Sequence, residues 1–403
     1  MISRALKRRN LLKTREIFED VLVVPYEQLL NRPLGGQDHQ GGPIWPQWEK
    51  QTTARFNRDG QPIDLAPEPV TASQRFTGQD YVWIGPVHPH FGHGLAEFLT
   101  RLACSIHGLR KPKLVFSSRA AKPIESLDAA PAWFRGVLDW YSVEPTDVIF
   151  ITRPTEFERL WVYPQPEQLH HLGPTDAYLD LMDEISTSNF TRLGVIPFSQ
   201  TVPAYVSRAG TQSGFAGEAY LETFLTGLGV TVFRPEQHSI SEQMQFYSSH
   251  RQLIFAEGSA LHGTQLLGRC LGNVTVLSRR GSHTGEPFCQ AFVQPRAKSL
   301  QYVDCVRGLI HGDNKLGRPA LATAISLIDQ ERLLLWLQSI GIETESSWDA
   351  EDFRQSETEA IRRWLAFINR RPNLRSQASS IYRSLEEQGF SSLMPEAESL
   401  FNN

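Results

Sequence analysis

The sequence predicts an α/β protein with two doubly wound units and a helical C-terminal extension. Three observations carry that expectation. From Tyr81 to Ser186, short apolar runs alternate with segments of helical periodicity, the signature of a parallel sheet with helices on both faces. A polar stretch from Thr187 to Pro203 interrupts the alternation, which resumes from Ala204 to Leu277. Beyond about Leu316 only helical spacing remains. The expected units are 1–190, 191–315 and 316–403, in keeping with two to three domains for 403 residues.

The elements follow in order. Val21–Val24 reads as a strand, and Arg32–Pro69, rich in Gly, Pro, Gln and Asp, as loop. Trp45 and Trp48 are expected to pin that loop to the body of the unit, stacking on a sugar being the alternative use of the rings. Tyr81–Ile84, Lys113–Phe116, Asp147–Ile151 and Leu160–Tyr163 read as strands. Gly92–His107 reads as a helix with Leu95, Phe98, Leu99, Leu102 and Ile106 on one face. Pro131–Tyr141 and Asp176–Ser186 are further helices, the first with proline in its opening turn. In the second unit, Ala204–Ser207, Val230–Phe233, Leu253–Ala256 and Asn273–Leu277 read as strands. Gly217–Leu228 and Ser239–Ser249 read as helices, the latter opened by the capping box Ser239-Ile-Ser-Glu242. Glu257-Gly258-Ser259 is a turn into a helix that starts at Ala260, with Ser259 as its N-cap. Ala320–Ile340, Ala350–Phe367 and Ser376–Gln388 read as the helices of the extension.

Composition excludes several classes. A hydrophobic fraction of 40% with 21% charged residues is that of an ordinary globular protein. A net charge of −4 argues against a general nucleic-acid binder. The basic start, with Arg4, Lys7, Arg8, Arg9, Lys13 and Arg15 ahead of Glu16, is either a solvated end or a contact for an anionic membrane surface. There is no apolar run long enough to span a bilayer, and Glu16 and Asp20 stand where a signal peptide would be apolar. The expected location is the cytoplasm, with peripheral contact to the cytoplasmic (inner) membrane as a further expectation. Cys104, Cys270, Cys289 and Cys305 are scattered without a CxxC pair, which fits reduced thiols rather than zinc or disulfides.

Three segments carry chemistry. His88-Pro-His-Phe-Gly-His93 places three histidines in six residues. A metal site is one reading, although no Cys stands near. A general base is another: His93 and Glu97 are four apart on one helix face, so the carboxylate can orient the imidazole. A histidine capping its turn beside a solvated Glu is the third. Next, Tyr205-Val-Ser-Arg208 ends a strand ahead of the Gly-rich AGTQSGFAGE. An Arg at the C-terminal end of a parallel strand faces the ligand cleft, and its planar fork suits phosphate oxygens; a surface salt bridge is the alternative. The loop is neither a Walker motif nor GxGxxG. Last, the strand, Gly turn and helix start at Leu253–Ala260 form a possible anion site, with Glu257 and His262 flanking it. An acid there repels phosphate unless it points away or binds ribose hydroxyls, and the sugar side is the expectation for Glu257. No GxSxG accompanies Ser259, so a Ser/His/Asp hydrolase is disfavoured.

These residues resemble glycosyltransferase family 61, the capsular-polysaccharide type. The likeness rests on His90-Phe-Gly-His93-Gly-Leu-Ala-Glu97, Tyr205-Val-Ser-Arg208, Ala256-Glu-Gly-Ser-Ala-Leu-His262 and Ser239-Ile-Ser-Glu242-Gln243. His90 stands where the family commonly has Asn, Gly94 where it has an aromatic, and Glu257 near a usual His. The resemblance implies a GT-B fold, two Rossmann-like domains facing a cleft, with the acceptor on the N-terminal side and the donor on the C-terminal side. It implies inverting, metal-independent transfer from a nucleotide-diphosphate sugar, without a cofactor, to a glycan or lipid-linked acceptor in surface polysaccharide biosynthesis. Carried over by position, Arg208 and the Gly258-Ser259-Ala260 turn hold the diphosphate, Glu242 and His262 lie near the nucleotide, and His93 or Glu97 is the base. A non-catalytic nucleotide-sugar or glycan-binding protein on the same fold is the alternative, and a sugar-nucleotide hydrolase or epimerase a further one.

Overall fold

The computed structural model describes residues 4–28, 39–280, 287–314, 317–344, 348–371 and 377–402. The first sheet is built from β1 (Glu16–Gln28), β2 (His39–Pro43), β5 (Asp64–Leu65), β6 (Gln74–Phe76), β7 (Tyr81–Pro86), β8 (Lys113–Ser117), β9 (Val148–Ile151) and β10 (Thr155–Val162). Their order is β5-β2-β1-β10-β7-β8-β9, with β6 also on β10. β7, β8, β9 and β10 run parallel, while β1 joins β10 antiparallel and β2 joins β1 antiparallel. The sheet is therefore mixed, whereas the sequence pattern predicted parallel strands throughout. A small hairpin, β3 (Asn57–Arg58) and β4 (Gln61–Pro62), stands off it.

The second sheet is wholly parallel. It orders β13 (Thr231–Phe233), β11 (Ala204–Val206), β14 (Gln252–Ala256), β15 (Leu271–Leu277) and β16 (Ala297–Val303). Leu253, Ile254, Phe255 and Ala256 of β14 are all buried, as a central strand covered on both faces requires. A third sheet joins β12 (Phe215–Ala216), β18 (Ile325–Ile328) and β17 (Val306–Ile310). Each of the two larger sheets has a topological switch point, where the chain has added strands on one side of a strand and then crosses to the other. They lie between β7 and β10 and between β11 and β14. Crevices at the C-terminal ends of such strand pairs are where open α/β sheets bind ligands.

The helices are α1 (Arg4–Leu11), α2 (Phe91–His93), α3 (Leu102–Gly108), α4 (Ala132–Trp140), α5 (Asp176–Leu193), α6 (Glu218–Gly227), α7 (Ile240–Ser249), α8 (Ala260–Gly263), α9 (Gln290–Val293), α10 (Gln330–Ser339), α11 (Ala350–Asn369), α12 (Ala378–Glu387) and α13 (Met394–Asn402). One apolar cluster runs from Val82 and Phe116 on the first sheet, through Phe134 of α4, to Phe233, Phe255 and Val276 on the second. The joint is also polar. Arg296 and Glu167, both fully buried, pair at 3.0 Å, and Arg269 holds Asp176, Asp180 and Asp183 of α5. A second cluster under α6, α10 and the start of α11, with Phe224, Leu333, Trp336 and Phe353, covers the other face of the second sheet.

Several expectations need correction. The helix read at Gly92–His107 is broken into α2, a π-helical turn over Gly94–Phe98, and α3. The helix read at Asp176–Ser186 continues to Leu193, seven residues into the stretch taken as a boundary, and ends on Gly194 in the left-handed region. Ala320–Ile340 is not one helix. Ile325–Ile328 forms β18, and Asp329 then caps α10 by accepting from the Arg332 N–H. A buried apolar run of four residues has no periodicity to distinguish strand from helix. Arg32–Pro69 is not all loop, since it includes β2 to β5, although 29–38 lies outside the described residues. Ser376 of the last predicted helix does too. Trp45 is buried against Phe18, and Trp48 carries the Arg55 guanidinium on its face, so both rings pin this region. Of the basic N-terminal residues, Arg15 packs over Trp161 and donates to the Leu12 and Gly108 carbonyls. No helix among the described residues is long and apolar enough to cross a membrane. The four cysteines are free thiols.

Candidate active site

The first switch point holds a histidine and a carboxylate in contact. β7 ends at Pro86, and the chain turns through His88 and His90 into α2. His90 Nδ1 accepts from the His93 N–H at 3.5 Å, so His90 caps this one-turn helix. The π-turn then adds one residue to the helical repeat, with the Leu99 N–H bonding the Gly94 carbonyl. Such turns concentrate at functional sites. Across this one, His93 Nδ1 lies 2.6 Å from Glu97 Oε2, the i, i+4 contact that their spacing predicted. A β-carbon on Gly94 would overlap the Trp133 indole. Trp133 of α4 thus fills the space beside Gly94.

Glu97 is 1% exposed. Its Oε1 accepts from Arg58 Nε at 2.8 Å and Nη2 at 2.5 Å. Burial alone would raise its pKa, but the His93 hydrogen bond and the Arg58 charge outweigh it and hold the carboxyl at about 2. An ionised carboxylate only accepts, so it fixes a proton on His93 Nδ1 and leaves Nε2 to take another. His88, buried, accepts the His90 N–H on Nδ1 at 3.1 Å, and burial lowers its pKa to about 4. His90 is shifted down too, by burial and then by the His93 and Arg208 charges. These two rings are neutral neighbours of His93, with ring centroids 5.3 and 5.2 Å away. No group of His, Cys, Asp or Glu able to hold a metal ion occurs among the described residues.

The second switch point is rich in cations. Ser207 and Arg208 leave the end of β11, and buried Glu218 at the start of α6 gathers the turn. Its Oε1 accepts from Tyr205 Oη at 2.7 Å, Ser207 Oγ at 3.2 Å and the Arg208 N–H at 2.8 Å. Burial shifts the Glu218 pKa upward against these bonds. Arg208 Nη2 donates to the Ser213 carbonyl at 3.0 Å, while Nε is buried without a partner. Burial lowers the Arg208 pKa. A β-carbon on Gly258 would overlap Arg208 Nη1, so any larger residue where β14 meets its turn must push the guanidinium aside.

Glu257 does not point away from the cluster. It is 3% exposed and accepts from the Arg279 N–H at 2.9 Å and from Arg280 Nε at 2.6 Å. Arg279 and Arg280 follow β15 after Ser278, and their charges act on Arg208. Burial lowers the Arg279 pKa to about 10. Three arginines therefore meet two carboxylates.

The reading of Ser259 as an N-cap is corrected. It has helical φ and ψ and makes no capping bond, and α8, opened by Ala260, is four residues long. A helix that short contributes little dipole, so the positive potential here comes from the arginines. His262 is buried, pairs with Gln265 Oε1 at 3.1 Å, and burial lowers its pKa to about 4. Glu242 sits in the exposed capping box of α7, accepting from Ser239 N–H and Oγ at 2.7 Å each.

The two switch points touch. A β-carbon on Gly92 would stand 3.0 Å from His262 Cδ2 and 3.3 Å from Ser259 Oγ. Beside this contact lies a cavity of about 960 Å³, walled by Leu169, His170 and His171 from one side and by Arg280, Phe288 and Cys289 from the other. His93, Glu97, Ser259 and His262 are thus gathered round one interface, with Arg208 and Glu257 immediately behind it. Glu242 makes its recorded bonds within its own helix cap.

Sequence reasoning missed Arg58, Glu218, Arg279 and Arg280. The arginine pair stands just past a predicted strand, the placement that drew attention to Arg208. Arg58 lies in the Gly- and Pro-rich stretch and Glu218 at an ordinary helix start, where nothing in the pattern marks them.

No curated protein is significantly similar to the chain. Residues 91–269 match the family model described as Glycosyltransferase 61. The match begins at the His93 turn, takes in Arg208, and ends just after the Glu257–His262 turn. The motifs of both switch points thus fall inside the segment that is similar to glycosyltransferase family 61.

Proposed function

We propose that the protein transfers a sugar from a nucleotide-diphosphate sugar to a hydroxyl of a glycan or lipid-linked acceptor, with inversion. The two sheets then play the parts of the two Rossmann-like domains of a GT-B enzyme, with the acceptor on the side of the first. The observation that carries this reading is the contact between the switch points: one presents a carboxylate-oriented imidazole, the other a cluster of arginines. His93 Nε2 takes the acceptor proton as the hydroxyl oxygen attacks the anomeric carbon. The bond to the diphosphate breaks, and its electron pair leaves with the phosphate oxygen. Arg208, with Arg279 and Arg280 beside it, meets that charge in a preorganised site. The Gly258-Ser259-Ala260 turn lines the same place, and neutral His262 lies at its edge. In this reading arginines supply the electrostatic stabilisation, with neither a metal ion nor a cofactor assigned to the step. A cytoplasmic place in surface polysaccharide synthesis, at the face of the inner membrane, suits such a donor and acceptor.

The test is Arg208→Ala, assayed for transfer and donor hydrolysis over a panel of nucleotide sugars. Removing one preorganised donor should cost roughly 2–4 kcal/mol of transition-state stabilisation, about 10²–10³ in rate. Activity within a few-fold of the parent would sink the donor assignment. The intact His93–Glu97 pair disfavours a binding protein that has lost its chemistry. Nucleotide binding by calorimetry without turnover would reverse that judgement, and product formed without acceptor would indicate a hydrolase or epimerase.

A further inference from the structure

Arg58 lies on the β3–β4 hairpin, well ahead of the matched family segment. The hairpin is fastened to the active site at three points. Gln165, just past β10, accepts the Asn57 N–H on Oε1 at 2.6 Å and donates from Nε2 to the Glu97 carbonyl at 3.0 Å. Asp59 Oδ1 accepts the N–H groups of His170 and His171 at 2.6 and 2.7 Å, and the Asp59 N–H reaches the Leu169 carbonyl. Arg58 itself puts two nitrogens on Glu97 Oε1. One hairpin therefore braces the carboxylate behind His93 and the wall of the interface cavity.

We propose that Arg58 is a positioning residue that completes an Arg58–Glu97–His93 relay and lowers the pH at which His93 becomes a free base. The proposal rests on the reading of His93 as that base. The physical reason is a division of one buried charge. Glu97 holds His93 with one oxygen and Arg58 with the other, so the carboxylate is already neutralised when the imidazole is uncharged. Without Arg58, the buried anion has the imidazolium as its main counter-charge, and the pair retains its shared proton to higher pH. That holds whether the proton sits on the ring or on the carboxyl. The other charged or titratable groups facing the pair are His88 and His90 on the preceding turn, with Arg208 acting on His90. His170 faces it from the cavity wall, His262 from α8 and Asp59 from the hairpin. None of them contacts Glu97 Oε1, so none replaces Arg58.

The experiment follows the His93 ring by NMR in protein labelled at histidine carbons, with the signal assigned by its loss in His93→Gln. It compares the parent with Arg58→Met and Arg58→Lys. Arg58→Met should move the His93 titration upward by about one pH unit, the effect of one nearby charge, with Arg58→Lys between. A shift below about half a unit, or a downward one, would overturn the proposal. Should Arg58→Met fail to fold, Arg58→Gln decides: it keeps a polar side chain and removes the charge, so an unshifted titration overturns the proposal and an upward one supports it. The readout needs no substrate and so separates two failures. Transfer that survives His93→Gln defeats the reading of the base, whereas an unmoved titration defeats the role of Arg58 alone. Where transfer is measurable, the acidic limb of kcat/KM should move with the NMR titration.

Discussion

The two switch points have the same topology and opposite electrostatics. At the first, Glu97 is saturated by Arg58 and His93, and His88 and His90 stay uncharged near neutrality. What remains is a ring that can exchange a proton. At the second, Glu218 spends its oxygens on backbone and hydroxyl groups while Glu257 restrains Arg280. What remains is positive charge held in place by buried carboxylates. The strand arrangement supplies a crevice in each case, and the residues at the strand ends decide whether it handles protons or anions.

The sharpest way to break this contrast is at the proton side. His93→Ala should lower transfer by about 10²–10⁴-fold, the range for a positioned general base, while nucleotide affinity measured by calorimetry stays within about threefold. A matching loss of nucleotide affinity would show that the two crevices do not divide the work. Gly258→Ala makes the converse change. Its β-carbon must displace the Arg208 guanidinium, so nucleotide binding should weaken about ten- to a hundredfold, the worth of a hydrogen bond to a charged group. The His93 titration should not move. A titration that shifted by a full unit would mean the two sites share one electrostatic network.

Acid should separate the sites through stability as well. His88 and His262 titrate at about 4 in the folded protein because burial disfavours their charged forms, against about 6.5 when unfolded. Between those values the unfolded chain binds more protons, so stability falls as pH drops from about 6.5 to 4. Glu97 acts lower. Its folded value of about 2 lies below the ordinary value of about 4.3, so its contribution is present above about 4.3 and is lost as pH falls towards 2. Denaturant midpoints for His262→Asn should therefore decline less than the parent's between about pH 6.5 and 4. Parallel curves would refute neutral burial of His262.

Much of the second unit was legible because its signals are local. A run of four apolar residues closed by Gly gives β14, and Tyr205-Val-Ser-Arg208 places an arginine at a strand end. The first unit was harder to read. Leu95, Phe98, Leu99 and Leu102 satisfy a regular helix, and one extra residue per turn at Gly94–Phe98 leaves that apolar face nearly intact. The pattern therefore conceals the π-turn, although the spacing of four between His93 and Glu97 did predict their contact. Arg58 was beyond reach for another reason. It is 39 positions from Glu97, in a stretch whose short strands hold their place by contacts with distant loops. Ser259 shows the opposite error: a good capping residue stood in the right place, but a four-residue helix offers little to cap.

The smallest expected effect concerns Glu242, which the motif likeness assigns to the donor and the structure shows capping α7. Its carboxylate is exposed and accepts two bonds from Ser239, and those bonds draw its pKa down. Glu242→Ala should cost about 0.3–1 kcal/mol of stability, the worth of an acid in the first turn of a helix, since Ser239 still caps α7. If capping is its whole role, nucleotide affinity stays within about twofold and Glu242→Gln, which preserves the capping geometry, restores the stability. A tenfold loss of affinity in both variants would instead bring α7 into the donor site and extend the cationic crevice beyond the Arg208 turn. The contrast between the switch points would then hold for charge but not for extent, because one carboxylate would serve a helix cap and a ligand together.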